Sequence, residues 1–248
     1  MLKNLYILSE GRTECYFIKY VLSEHLLDYG WIVVPITLPT GRKITGGHKG
    51  GWRRSDGYKY ALEEIRKEII THTGSLHTTF FDLYGFPKDI PCYEQAKSLS
   101  SPYDKAQLYE LQIKQDISSL FADDDRYNSN LFLPYVQPYE FESFLFVDAK
   151  SSAAVLFERN EKKATWLEKE ISRIAAEFET PEHINGSSDT APSKRIEKLV
   201  PGFEKNKAGK AGFSWKAPQR VGTQSLRQAC QHFNKWLSSL ESYSNHIT

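Results

Sequence analysis

Two short apolar runs in the first third of the chain lead directly into acids. Leu5-Tyr6-Ile7-Leu8 precedes Glu10-Gly11-Arg12-Thr13-Glu14, and Thr78-Thr79-Phe80-Phe81 precedes Asp82-Leu83-Tyr84-Gly85-Phe86-Pro87. A third run, Leu131 to Val136, is followed by Tyr139-Glu140-Phe141-Glu142. If these runs are strands of one open parallel sheet, the turns beyond their carboxyl ends open on one crevice, where ligands of such sheets bind. Several carboxylates in one crevice repel, so they must share protons or bind a cation. Magnesium suits an all-oxygen donor set, with manganese able to substitute, whereas zinc would want His or Cys ligands, which these segments lack. Glu10, Glu14, Asp82, Glu140 and Glu142 are therefore the candidate metal ligands. In Glu140-Phe141-Glu142, a strand puts both acids on one face, while a helix separates them by about 200°. A helix starting near Tyr139 leaves one direct ligand, for which Glu142 is preferred, with Glu140 supporting it or holding a second ion. Simpler roles stay open: Glu14 can complement a helix dipole, and Asp82 is a common turn residue.

Positioning these acids requires alternating strands and helices. Residues 4 to 9 read as a strand, and Phe17, Val21, His25 and Tyr29 recur at helical spacing from Arg12 onward. The β-branched run Trp31 to Ile36 predicts a second strand, with Pro35 marking an edge or an end. Tyr58, Leu62, Ile65 and Ile69 predict a helix carrying a Glu63–Lys67 pair. A third strand ends at Asp82, a helix covers about 104 to 121, and a fourth strand runs from 131 to 136. The order implies right-handed crossovers and a parallel, Rossmann-like α/β core of about four strands over residues 1–148. Beyond 148 helical spacing takes over, in Leu167, Ile171, Ile174 and Phe178 and in Leu226, Cys230, Phe233, Leu237 and Leu240, so residues 149–248 are expected to form a helical subdomain packed on the core. Pro181 to Arg220 reads as loop and short helix.

The 248 residues are 40% hydrophobic and 25% charged, which suits a folded protein with a sizeable core. A formal charge of +1 excludes a uniformly basic coat, so any polyanion contact must come from local patches. Cys15, Cys92 and Cys230 lie far apart, which argues against a disulfide framework and for a reducing compartment. No apolar stretch reaches the roughly 18 residues of a spanning helix, and the N-terminus turns acidic early, so an untargeted cytoplasmic protein is expected. No GxSxG and no Walker A loop occurs.

Two local patches could contact phosphates. The segment Thr40 to Arg54 has five Gly and five Lys or Arg, among them Arg42, Lys43, Lys49, Arg53 and Arg54, and glycines let backbone approach a ligand closely. A solvated loop is the equal alternative. From Lys205 to Arg220, Lys210 and other cations flank Phe213 and Trp215, a mixture that suits stacking on single-stranded nucleic acid, or docking of the aromatics on the core. Lys194, in Ser193-Lys194-Arg195, can aim a cation at the acids or simply be solvated at a helix start.

Together these residues resemble the Toprim superfamily, the metal-binding α/β fold of topoisomerases, DnaG-type primases and overcoming-lysogenization-defect nucleases. More closely, the segments EGRTE, FDLYGFP, PYEFESFLF, TAPSKR and CQHFNKWL resemble a bacterial family of unknown function within it. The resemblance implies a Toprim core in which the glutamate after the first strand falls on Glu10, the second acid of the nuclease branch on Glu14, and the first Asp of the Asp-x-Asp pair on Asp82. Tyr84 stands in place of the second Asp, leaving open two metals, one or none. Glu142 matches the acid after the next strand, and Lys194 corresponds more loosely to a C-terminal lysine that completes such sites. Relatives are often encoded beside an ABC-type ATPase in defence loci. The expected function is a Mg2+- or Mn2+-dependent nuclease acting on DNA or RNA, with Glu10, Asp82, Glu142 and Lys194 catalytic, as an anti-phage effector with an ATPase partner. The alternative is a degenerate, non-catalytic subunit docking on that ATPase.

Overall fold

The computed structural model describes residues 2–38, 55–185, 189–203 and 213–243. Arg42, Lys43, Lys49, Arg53, Arg54 and Lys210 lie outside the described residues.

The centre is a parallel sheet in the order β2-β1-β3-β4, with β5 also on β3. Its strands are β1 Lys3–Ser9, β2 Trp31–Thr37, β3 Leu76–Asp82, β4 Phe132–Leu133 and β5 Val136–Gln137. Every residue of β3 is buried and five of the seven in β1 are, as expected of strands covered on both faces. Pro35 does lie on an edge strand, where its missing N–H breaks no ladder.

On one face, Leu5, Ile7, Leu76 and Phe80 meet Phe17 and Leu22 of the first helical stretch, built from Arg12–Phe17, a π-helical turn Ile18–Leu22 and Ser23–Leu27. Leu226, Phe233, Trp236, Leu237 and Leu240 complete this cluster. They come from the helices Thr223–Ala229 and Gln231–Tyr243, which the sequence suggests as one helix and which break at Cys230. The opposite face packs Leu8 and Phe81 against Ala61 and Ile65 of the helix Gly57–Thr71 and Tyr109 and Ile113 of the helix Pro102–Leu120. On the former, Lys67 pairs with Glu64 at 2.6 Å rather than with Glu63.

A third cluster joins Leu167, Ile171 and Ile174 of the helix Glu161–Ala175 to Ile184, Ile196 and Phe203. It reaches the sheet through the 3₁₀ segment Phe141–Phe146, whose Phe141 and Phe144 enter the first cluster and whose Leu145 and Phe146 enter the third. The last two helices cover the sheet itself.

The expected single strand at 131–136 is instead two short strands. Pro134 has no N–H to donate, and at Tyr135 a side chain replaces the ladder: the Tyr135 N–H donates to Thr79 Oγ1 and the Thr79 hydroxyl donates to the Tyr135 carbonyl, both at 2.8 Å.

His77 sits on β3 at the far end from the acids, stacked at 5.0 Å on Tyr6, which stacks at 4.1 Å on His72. Burial pushes its imidazole from 6.5 down to about 4, against the opposing effect of hydrogen bonds such as that to the Ser75 carbonyl. A group depressed on folding stabilises fully above its unfolded value and loses that contribution as pH falls from 6.5 towards 4, here at most about 3 kcal/mol. His77→Phe, which keeps a stacked ring, should flatten the fall of urea-unfolding stability across that window; an unchanged slope would remove His77 as its source.

Candidate metal centre at the strand ends

β1 and β3 are adjacent and in register, Ser9 opposite Phe80, so the residues just past their carboxyl ends emerge side by side. Glu10 follows β1 directly and Asp82 ends β3. Between Glu10 and the first helix stands Gly11, the N-cap, extended at φ −139° and without a side-chain cap. Glu14 is the third helical residue, a position from which a glutamate folds back over the N-cap. A Cβ on Gly11 would collide with Glu14 Oε2, so the glycine is needed for close approach and not for its φ.

Glu10, Glu14 and Asp82 each offer an oxygen lying within 4.8 Å of the others. Asp82 and Glu14 are 1% and 2% exposed, while Glu10 is half-buried. Backbone donors orient the carboxylates: the Asp82 N–H donates to Glu10 Oε1 at 3.2 Å, and the Phe141 N–H to Asp82 Oδ1 at 2.9 Å. Three acids this close cannot all stay charged without a counter-charge. The group can hold a metal ion, and a donor set of carboxylate oxygens without His or Cys suits a hard cation.

The remaining candidates fall around this group. Leu83 and Tyr84 are zipped to the opposing loop, their N–H groups donating to the carbonyls of Gln137 at 2.9 Å and Tyr139 at 2.7 Å. Tyr139 has φ +58°, a left-handed conformation costly for a tyrosine, and it precedes the divergence of the next two acids. Glu140, at the N-cap of the 3₁₀ segment, accepts from the Ser193 N–H at 2.9 Å, at the start of the helix Pro192–Leu199. It serves as an anion at a helix N-terminus. Glu142 is fully buried in the first turn of that 3₁₀ segment. Neither belongs to the set of three mutually close carboxylates. Lys194 pairs with Glu197, which raises its ammonium above the usual value, with smaller contributions from Glu140 and Tyr84. Trp215 is half-buried on the helix Phe213–Val221, stacked at 4.8 Å on Tyr20.

Sequence reasoning missed Gly11 and the backbone donors of Phe141 and Ser193. The glycine was legible in Glu10-Gly11-x-x-Glu14, an N-cap followed three residues later by an acid. Gly11→Ala should displace Glu14 and weaken Mn2+ binding about tenfold, the lower end of what orienting groups around metal ligands contribute. Unchanged affinity by calorimetric titration would contradict this role.

Among the described residues no helix is long and apolar enough to cross a membrane. The model of the Domain of unknown function (DUF4276) family matches residues 9–241, from the last residue of β1 into the last helix, so the chain belongs to that family. No curated protein and no solved structure matches it.

Proposed function

We propose that this protein is a Mg2+- or Mn2+-dependent nuclease hydrolysing phosphodiester bonds of DNA or RNA at the ends of β1 and β3. The observation that carries this reading is the convergence of Glu10, Glu14 and Asp82 within 4.8 Å, two of them buried. Those three would hold the cation, which when bound neutralises charge on phosphate oxygens and lowers the pKa of water. The residues of the chain do the rest. Backbone donors from Asp82 and Phe141 hold Glu10 and Asp82 in place before substrate arrives. Exposed Arg12, next to the crevice, offers a cation for a flanking phosphate. Glu142 and Lys194 take supporting places, one fully buried in the 3₁₀ segment Phe141–Phe146 and the other paired with Glu197 on the helix Pro192–Leu199.

The resemblance of the sequence segments to Toprim nucleases supports this reading and extends it to a cytoplasmic anti-phage effector with an ABC-type ATPase partner. Tyr84 favours a second reading, a non-catalytic subunit docking on that ATPase. It is 38% exposed where the resemblance calls for a second aspartate, and a tyrosine brings no carboxylate to a hard cation. The discriminating experiment is a cleavage assay on labelled single- and double-stranded DNA and RNA with Mg2+ or Mn2+, with and without the ATPase. Metal-dependent cleavage supports the nuclease; its absence under every condition, with retained ATPase binding, supports the docking subunit.

A further inference from the structure

The helix leaving the acidic crevice carries a second feature on its outer side. Arg12, Tyr16 and Tyr20 recur every four residues, which places them along one side of it. Tyr20 is 40% exposed, Arg12 and Lys19 are exposed, and Tyr16 is half-buried. The helix Phe213–Val221 packs beside Arg12–Phe17 and brings Trp215 to this row. Tyr20 and Trp215 stack at 4.8 Å and 28°, Tyr16 lies 6.0 Å from Tyr20 and 6.2 Å from Trp215, and the Lys19 ammonium sits 5.2 Å from the Tyr20 ring centre. Exposed Lys216 and Arg220 project from the second helix. Beyond Tyr20 the surface opens into a groove of about 240 Å³ edged by Glu24, His25, Gln219 and Thr223. His25 is tied to Glu241 at 2.7 Å, which leaves amide, hydroxyl and carboxylate groups at the rim.

Three aromatic rings meet at a surface, flanked by four exposed cations and opening on a polar groove; Trp215 also packs against the core cluster, while Tyr20 stays 40% exposed. Stacking on aromatic faces combined with backbone-tracking cations is the way proteins hold unpaired bases, since every base has a π-face and a duplex keeps those faces covered. The arginine of the row stands one residue from Gly11 and two from Glu10, so a strand lying along it enters the crevice directly. We propose that this face binds single-stranded nucleic acid, one base extending the Tyr20–Trp215 stack, its neighbour entering the groove, and the phosphates following Lys19, Lys216 and Arg220 towards Arg12. This names the substrate class of the proposed nuclease and rests on that reading for its role, but binding itself requires no cleavage.

The test is fluorescence anisotropy of labelled oligo-dT and oligo-U with the full chain in EDTA, with a duplex of equal length alongside. Wild type should prefer the single strands. Tyr20→Ala and Trp215→Ala should each weaken single-strand binding by about tenfold, Tyr20→Phe should preserve it, and Trp166→Ala, on an exposed residue of a different helix, should leave it unchanged. Lys216→Ala with Arg220→Ala should lower the salt dependence by roughly two phosphate contacts. Single-strand binding by wild type and by Glu10→Gln with Asp82→Asn alike, beside a separate assay in Mn2+ in which wild type cleaves no strand, would keep the surface while removing the nuclease. Equal binding of duplex and single strand, or wild-type affinity in Tyr20→Ala with Trp215→Ala, would overturn the proposal. So would a wild type that binds no strand but captures a protein partner through Tyr20.

Discussion

Glu10→Gln and Asp82→Asn should each lower metal-dependent cleavage at least about a thousandfold while leaving the protein folded. Each change removes one of three carboxylates whose oxygens lie within 4.8 Å, and so one-third of the negative charge available to a divalent cation. Folding should survive for a physical reason: an amide oxygen can still accept the N–H that Asp82 gives Glu10, and the one that Phe141 gives Asp82. Fewer like charges in a buried group also relieve repulsion, so melting temperature without metal should hold or rise. The double variant should be no worse than either single one, because residues that act as a unit are not additive. Glu140→Gln should behave differently. Its carboxylate serves the helix at Ser193, so the expected loss is in stability, by about 1 kcal/mol or less, with cleavage largely kept. The check is a time course of substrate cleavage in Mn2+, with and without the proposed ATPase partner, beside circular dichroism of each variant. Cleavage retained in Glu10→Gln and Asp82→Asn would remove these residues from the chemistry.

The second large effect is on folding. Trp236→Ala should destabilise the protein by about 3–5 kcal/mol, the range for truncating a large aromatic in a packed core. Trp236 is 5% exposed, stacks on Tyr135 at 4.5 Å, meets Phe80 edge-on at 5.4 Å and donates its indole N–H to Thr78 at 2.9 Å. It is therefore a strut between the last helix and β3. Because that helix belongs to the sheet's own cluster, the loss should appear in one cooperative urea transition, with far-ultraviolet and tryptophan signals coinciding. A cost under about 1 kcal/mol, or separate melting of the C-terminal helices, would show that the sheet folds without them.

The same strut shows where sequence reading stopped. Strands β1, β2 and β3 were legible because each is a short apolar run closed by an acid or a turn, and Glu10 and Asp82 were legible with them: parallel neighbours end at one edge, so acids just past two such runs must converge. The docking of Leu226 to Leu240 was not legible. Their stripe, read as a helix of a subdomain packed on the core, announces a buried face but does not say which part of the core it covers. Near the site, Glu140-Phe141-Glu142 offered two acids, of which Glu142 was preferred as the direct ligand. The positive φ of Tyr139 and the N-terminus of the helix at Pro192, more than fifty residues away, decide where Glu140 points, and neither leaves a local signal. The break at Pro134 was signalled by the proline itself, but the repair by the Thr79 hydroxyl is a long-range contact.

The most direct measurement is the anomalous signal of manganese in crystals soaked in Mn2+, for wild type and for Glu10→Gln with Asp82→Asn. A peak at coordination distance from oxygens of Glu10, Glu14 and Asp82 in the wild type, absent from the double variant, is the result expected of a hard-cation centre at the ends of β1 and β3. A wild-type crystal with no peak there at saturating Mn2+, or a peak that survives the double substitution, would contradict it.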